Sequence, residues 1–393
     1  MRKLSTLLGL PQHRYASIHV VGTNGKSSVT RMIAALLEAH GVSAGACVSP
    51  HTARWSERVL IDGEEIDAEA FAAAVERAAR AAETVNRGLE QGEAVTQFEL
   101  ATAAAFVALA AARVEAAAIE AGLGGRLDAT NTIPSRVTVL TSIGLDHTQW
   151  LGESEEEIAA EKLAVLRDHS TLVLGRVSHV VRALAERAAR ERAAELIVAP
   201  ESPGRALRLR APGDFQRRNF ALARAAAEAF LGELDPRRVA AVGAAIEIPG
   251  RLERLAGDPP AYLDAAHNPQ AAAALAEALP EVAAGRPVVA CLAILRDKDA
   301  AATIEALAPA LDRAVCAELP PASLEARGMP GAASHPAGDL VAACEAAGLA
   351  AEAEADLVGA VARGRELAAE AGGILLVSGS HYALAPAREA LAR

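Results

Sequence analysis

The sequence predicts an α/β protein: an N-terminal P-loop domain on a doubly wound, mainly parallel sheet, followed by a smaller C-terminal Rossmann-like α/β domain. Three observations predict it. The 393 residues are 52% apolar and 23% charged, enough for two or three cores and incompatible with a disordered or fibrous chain. Short apolar runs rich in β-branched residues alternate with long alanine-rich amphipathic stretches, the pattern of βαβ units with strands buried on both faces. The segment GTNGKSS, residues 22–28, lies between the first such run and the first such stretch, where a phosphate-binding loop belongs.

Taken in order, IHVVG predicts the first strand, and Lys26 to His40 a helix stopped by Gly41 in the C′ position. AAAIEAG (116–122) and VTVLTSIG (137–144) read as further buried strands that neighbour each other and have helices before and after them. A proline and a glycine in Ala244 to Arg251 mark a hinge, placing the domains at 1–246 and 247–393. The second series runs AYLDAA, a helix from Pro269, RPVVACLAI, a helix, RAVCAEL, two helices, GILLVSGS and a C-terminal helix. With only 3% aromatics and an alanine-heavy apolar fraction, the interior should be helix-rich and built from small side chains.

The net charge of -11 argues against nucleic-acid binding, although a local cation cluster can still hold an anionic substrate. Cys47, Cys291, Cys316 and Cys344 lie in apolar stretches without CxxC spacing, which predicts buried thiols in a reducing compartment. Pro11 cuts short the apolar stretch at the amino terminus, so no signal peptide is expected. The longest apolar run, Leu100 to Ala112, is too short to span a bilayer. These readings predict a cytoplasmic protein without a membrane partner.

In GTNGKSS the glycines admit phosphate close to the backbone, and the helix N-terminus aims N–H groups at its oxygens. Lys26 neutralises phosphate charge, and the hydroxyl of Ser27 or Ser28 can reach Mg²⁺. Val20 stands where the usual loop of this kind has its first glycine. Glu120 ends a buried strand before a glycine-rich turn, at the edge where ligands of doubly wound sheets bind, and suits Mg²⁺. His147, in DHTQWLG, also follows a strand; taken alone it reads as a structural histidine, since imidazole is an unusual ligand for so hard a cation. Lys162, in EEEIAAEKLAVLR, lies on the apolar stripe of a helix with no acid at pairing distance. By itself it reads as a side chain that snorkels its ammonium to water.

GTNGKSS, SPH (49–51), EAGLGGRLDATN (120–131), DHTQWLG (146–152), EK (161–162), PGRLE (249–253), DAAHNP (264–269), RDKD (296–299) and SGSHY (378–382) occur in one order along nearly the whole chain. Together they resemble the folylpolyglutamate synthase and dihydrofolate synthase family of Mur-type ligases, which form amide bonds with ATP. The resemblance implies Ser49, Glu120 and His147 as ligands of one Mg²⁺. It further implies a carbamylated Lys162 that helps hold a second Mg²⁺, although the family's usual EKAG is EKLA here. It names Lys26, His147 and Lys162 as catalytic, and Asn24, Gly25, Lys26, Ser27, Ser28, Asn219, Arg251 and Asp264 as ATP contacts. Gln216 is retained from the family's HQxxN pattern, whose histidine is Phe215 here.

On the acceptor side, Thr96, Gln97, Phe98 and Glu99 resemble the family's T-x-F-E segment, whose aromatic ring contacts the pterin. By the same resemblance Leu127, Asp128 and Ala129 are expected to line the pterin, Asp128 accepting from its N–H edge while Arg126 supports the loop. Family members usually carry some two dozen more residues before the phosphate strand, whereas GTNGK begins here after 21. Dihydropteroate is therefore expected to be used with a raised KM, either because the pocket is more open or because the natural start lies upstream of Met1. His267 and Ser380, with His381, are expected at the glutamate site. The implied partners are ATP, L-glutamate and folate or dihydropteroate, and the protein is expected to be a monomer. The implied reaction passes through an acyl phosphate. A Mur-type ligase acting on a peptidoglycan or polyglutamyl acceptor is the alternative, disfavoured by GLGGRLDATN and T-x-F-E.

Overall fold

A computed structural model describes residues 1–204, 207–319, 324–325 and 331–392. The chain divides into two compact units, residues 1–210 with 216–246 and residues 211–215 with 247–393.

The first unit carries β1 (Ala16–Val21), β2 (Ala44–Cys47), β3 (Val59–Ile61), β4 (Glu64–Glu65), β5 (Ala116–Glu120), β6 (Ser135–Leu140), β7 (Thr171–Leu174) and β8 (Glu195–Val198). They form one sheet in the order β4-β3-β2-β5-β1-β6-β7-β8, parallel except for the β2-β3-β4 edge. Its helices are α1 (Arg2–Leu7), α2 (Lys26–Ala39), α3 (Ala68–Asn86), α4 (Gln97–Ala112), α5 (Thr148–Leu151), α6 (Glu155–Leu163) and α7 (His179–Glu191). Two more, α8 (Asp214–Leu231) and α9 (Pro236–Ala245), follow. The apolar run from Leu100 is the body of α4, where every residue from Thr102 to Leu109 is buried and whose flank packs on α3.

β1 is the spine of this sheet. Val20 stands opposite Glu120 of β5, and Val21 opposite Leu140 of β6. All three strands therefore end at one level, delivering Gly22, Ala121 and Thr141 to one edge. β2 joins them, with Cys47 opposite Ile119.

This arrangement corrects two expectations. β5 and β6 do not neighbour each other; β1 lies between them. Nor does a helix connect them: residues 121–134 form a loop, because Gly122, Gly124, Gly125 and Pro134 disfavour helix and Asp128 ties the segment to itself.

The second unit has β9 (Glu253–Leu255), β10 (Ala261–Leu263), β11 (Val288–Leu292), β12 (Arg313–Cys316), β13 (Ala351–Ala353) and β14 (Ile374–Ser378). Their order is β13-β12-β11-β14-β10-β9, with only β9 antiparallel. α10 (Pro269–Ala283), α11 (Ala300–Leu307) and α12 (Ala337–Ala346) cover one face; α13 (Leu357–Glu370) and α14 (His381–Leu391) cover the other. The period of two is clean: Val288, Ala290 and Leu292 enter the first core, Val289 and Cys291 the second. The sheet is doubly wound, as expected.

All four cysteines are buried free thiols. Among the described residues, no helix is long and apolar enough to cross a membrane.

Candidate active site

The phosphate loop is held from both sides. Thr23 N–H donates to the Ser142 carbonyl at 2.8 Å and Asn24 N–H to the Ser142 hydroxyl at 3.1 Å, while the Thr141 hydroxyl donates to the Asn24 carbonyl at 2.7 Å. These hydroxyls sit just beyond β6, so the strand beside β1 braces the loop that β1 delivers. In the sequence, their signal is two hydroxyl residues directly after an apolar strand. Gly25 adopts φ +86° as α2 begins, and a Cβ there would lie 2.6 Å from Asn219 Oδ1. That close approach places the α8 asparagine against the loop. Its Nδ2 donates to Gln216 Oε1 at 3.0 Å, and Gln216 is wholly buried.

Lys26 folds back to donate to the Thr23 carbonyl at 3.0 Å, keeping its charge at the loop. Ser28 is buried in the first turn of α2, whereas the Ser27 hydroxyl donates to Glu120 Oε1 at 2.9 Å and approaches the Ser49 carbonyl at 3.3 Å. Ser49 N–H donates to the other carboxylate oxygen at 2.9 Å. Ser27, Ser49 and Glu120 are thus one hydrogen-bonded group at the C-terminal edge of the sheet. Hard oxygen donors beside a phosphate loop fit Mg²⁺, which takes one or two protein ligands and leaves its other positions to phosphate and water. His147 stands in the left-handed region at φ +53° before α5, half-exposed, with its Nε2 3.8 Å from Asp146 Oδ1. Among the described residues, no three His, Cys, Asp or Glu side chains converge as a metal cage.

Lys162 departs most from its reading as an isolated residue. Instead of reaching water it is 4% exposed, and its Nζ donates to the Gly22 carbonyl at 3.0 Å. Burial, and then the charge of Lys26, lower the ammonium to about 7 against the opposing pull of Asp146, Asp128 and Glu161. The helix periodicity gives the right face: Ile158, Ala159 and Val165 join a core with Val21, Ala121 and Leu140, while Lys162 on that face meets the phosphate loop at the Gly22 carbonyl.

The acceptor candidates divide. Thr96 caps α4 and forms a capping box with Glu99: Glu99 N–H donates to the Thr96 hydroxyl at 3.2 Å, and Thr96 N–H to Glu99 Oε2 at 3.0 Å. Gln97 is exposed in the same turn. The Phe98 ring lies over Gly122, where a Cβ would stand 2.3 Å from Cζ. Asp128 receives Leu123 N–H and Thr130 N–H, each at 2.9 Å, so part of its accepting capacity serves its own loop. Leu127 is 90% exposed, and Ala129 is buried. Arg126 braces the loop through Glu161 Oε2 at 3.1 Å. Arg58, which no motif marks, donates to His51 Nδ1 at 3.0 Å and stacks 4.3 Å over Trp55, steadying the chain just after Ser49.

In the second unit, a group gathers where β10 and β14 end. Buried Asp264 receives Leu252 N–H and Ala266 N–H, each at 2.8 Å; burial raises its carboxyl, while Arg251 and these backbone donors pull the other way. Arg251 donates to the Gly250 carbonyl at 2.8 Å and to His381 Nε2 at 3.2 Å. The rings of His267 and His381 lie 5.7 Å apart, and His267 Nδ1 donates to the Ala265 carbonyl at 2.8 Å. Ser380 caps α14 by accepting from Tyr382 N–H at 3.2 Å.

A nucleotide-type loop on one doubly wound unit and a basic, histidine-rich strand edge on a second describe an ATP-using ligase of two domains. Residues 20–210 match the Mur ligase middle domain, and residues 250–381 the glutamate ligase domain of Mur ligases. A dihydrofolate synthase/folylpolyglutamate synthase of Mycobacterium tuberculosis is 37% identical over 358 residues, 79% of this chain and 72% of that protein. The crystal structure of a Mycobacterium tuberculosis folylpolyglutamate synthase complexed with ADP and AMPPCP superposes with a TM-score of 0.90 at 32% identity, covering 100% of this chain and 94% of that one. A bifunctional folylpolyglutamate synthase/dihydrofolate synthase of Yersinia pestis, complexed with AMPPNP and a Mn ion, gives 0.84 at 28% identity over 100% and 92%. The chain belongs to the dihydrofolate synthase/folylpolyglutamate synthase family of Mur ligases.

Proposed function

We propose that this protein is an ATP-dependent ligase that adds L-glutamate to folates, and to dihydropteroate, through an acyl phosphate. The observation that carries the reading is the convergence of Lys26, Ser27, Ser49, Glu120 and Lys162 on one phosphate loop. A free carboxylate is a poor electrophile. Its oxygen attacks the γ-phosphorus of ATP, ADP leaves, and the glutamate amino group then displaces phosphate from the acyl carbon. The loop amides and Lys26 bind the phosphates and offset charge that builds during transfer. Asn219, against Gly25, adds a nucleotide contact. Phe98 and the loop of Leu127, Asp128 and Ala129 hold the acceptor, the ring offering a flat apolar surface to the pterin. We assign Arg251 and Asp264 to the nucleotide and His267 and Ser380 to glutamate, in the glutamate-ligase domain from residue 247.

Glu120 and Ser49, with His147, would hold one Mg²⁺. When bound, the metal supplies Lewis-acid neutralisation of phosphate charge. Lys162 suits carbamylation, because an amine lowered to about 7 is substantially neutral at physiological pH and can add to CO₂, forming an N–C bond and releasing a proton. The carbamate nitrogen would keep one hydrogen for the Gly22 carbonyl, and the new anion, near the charge of Lys26, would be a donor for a second Mg²⁺.

The test is phosphate release with ATP and L-glutamate, comparing tetrahydrofolate, dihydropteroate and a peptidoglycan nucleotide precursor. Turnover with the pteroyl compounds alone supports the reading. Turnover with the peptidoglycan precursor alone replaces it.

A further inference from the structure

Buried in the central strand, His19 belongs to none of the groups assigned above. It lies on β1 between Ile119 of β5 and Thr138 of β6, wholly out of solvent. Its Nε2 is 2.8 Å from the Thr130 hydroxyl, and that hydroxyl donates to Asp128 Oδ1. A carboxylate can only accept, so the Thr130 proton points to Asp128. The Thr130 oxygen must then accept from His19 Nε2–H. The tautomer is fixed, and Nδ1 is left without a hydrogen-bond partner among the described residues. Burial, with a smaller contribution from Arg167, holds the ring neutral by lowering it to about 3, so the direction of the chain does not change at physiological pH.

We propose that His19 and Thr130 form a one-way hydrogen-bond relay that anchors the 121–134 loop to β1 and so positions Asp128 and its neighbours for the acceptor. The relay acts between two other ties of the loop: Arg126, whose N–H and guanidinium both reach Glu161 at 3.1 Å, on one side and Arg167 on the other. Asp128 Oδ1 takes both the hydroxyl and the N–H of Thr130, while Oδ2 takes Leu123 N–H, so one carboxylate gathers both arms of the loop. Arg167 secures the far end through the Asn131 and Ile133 carbonyls at 3.0 and 3.1 Å. Both act through Asp128 and its loop, as positioning residues. The consequence for the acceptor rests on the functional reading above, whereas the relay itself does not.

The test pairs hydrogen exchange across residues 121–134 with separate KM values for tetrahydrofolate and ATP, in the full chain. Thr130→Val removes the hydroxyl at constant shape, and Thr130→Ser retains it. His19→Gln can place an N–H near the Nε2 position, and His19→Asn falls short of it. The expected result for Thr130→Val and His19→Asn is about tenfold faster exchange of the loop and about a tenfold higher folate KM, with ATP KM within about twofold of wild type. Thr130→Ser and His19→Gln should stay near wild type. Where Thr130→Val does not fold, the two His19 variants decide alone. Unchanged exchange in the disruptive variants overturns the relay. Faster exchange with an unchanged folate KM overturns its role in acceptor binding. A wild type inert toward every pteroyl compound overturns the functional reading, while the exchange data still decide the relay.

Discussion

Lys162 Nζ donates to the Gly22 carbonyl at 3.0 Å, so a lysine of α6 closes over the first residue of the phosphate loop from 140 positions away. Because this lysine is buried and lowered from 10.5 to about 7, the folded chain binds fewer protons than the unfolded chain between those values. The burial penalty is absent above pH 10.5, grows as pH falls and is complete below pH 7. In CO₂-free buffer without metal, Lys162→Met should therefore be more stable than wild type at pH 6–7, with the gap closing toward pH 10. At about 1.4 kcal/mol per pKa unit, its ceiling is about 5 kcal/mol. Denaturant melts across pH measure this; a gap independent of pH contradicts it.

The same residue separates a charge-bearing carbamate from a bare amine. Lys162→Ala should lose activity and recover part of it with acetate, which can supply the missing anion, whereas Lys162→Arg should not recover. A high-resolution map with MgATP bound that shows an unmodified ammonium contradicts the carbamate.

Lys26→Ala should lose turnover with every acceptor by about a hundredfold, the effect of removing about 3 kcal/mol of active-site electrostatic stabilisation. Its melting temperature should stay close to wild type, because the Thr23 carbonyl that the ammonium holds at 3.0 Å belongs to the same loop three residues away. Rates within about twofold of wild type, in folded protein, contradict the phosphate-loop assignment.

Glu120→Gln keeps the shape but loses the carboxylate that receives both Ser27 and Ser49. The Mg²⁺ concentration for half-maximal rate should rise by about tenfold or more, and Mn²⁺ binding followed by electron paramagnetic resonance should weaken in parallel. Unchanged Mn²⁺ affinity contradicts the metal assignment.

Thr96 and Phe98 should separate in their effects. Thr96→Ala removes the α4 cap and should cost about 1 kcal/mol of stability with little change in folate KM. Phe98→Ala should raise folate KM by about tenfold and leave ATP KM alone. Equal KM effects from the two variants would contradict the division.

Legibility in the sequence followed the range of the interaction. The phosphate loop, α2 and the end of β5 were readable because strand, turn and helix signals are contiguous there. β2 and β13 were not, since Ala-Gly-Ala-Cys and Ala-Glu-Ala carry no β-branched residue and become strands through the neighbours that pair with them. The inferred β5–β6 adjacency failed because closeness along the chain does not reveal which strand is inserted between two others. Lys162 failed as an isolated reading for a related reason: periodicity assigns a residue to a face but not the element opposite it. At Asp128 the residue type was found, yet not that its own loop already draws on the carboxylate.

The central claim is tested most directly with a folate whose terminal glutamate carboxylates carry ¹⁸O, incubated with ATP and L-glutamate and followed by mass spectrometry of both products. An acyl phosphate predicts a folate extended by one glutamyl residue and released phosphate carrying one ¹⁸O from the attacked carboxylate. Release of phosphate without ¹⁸O, or without an extended folate, contradicts it.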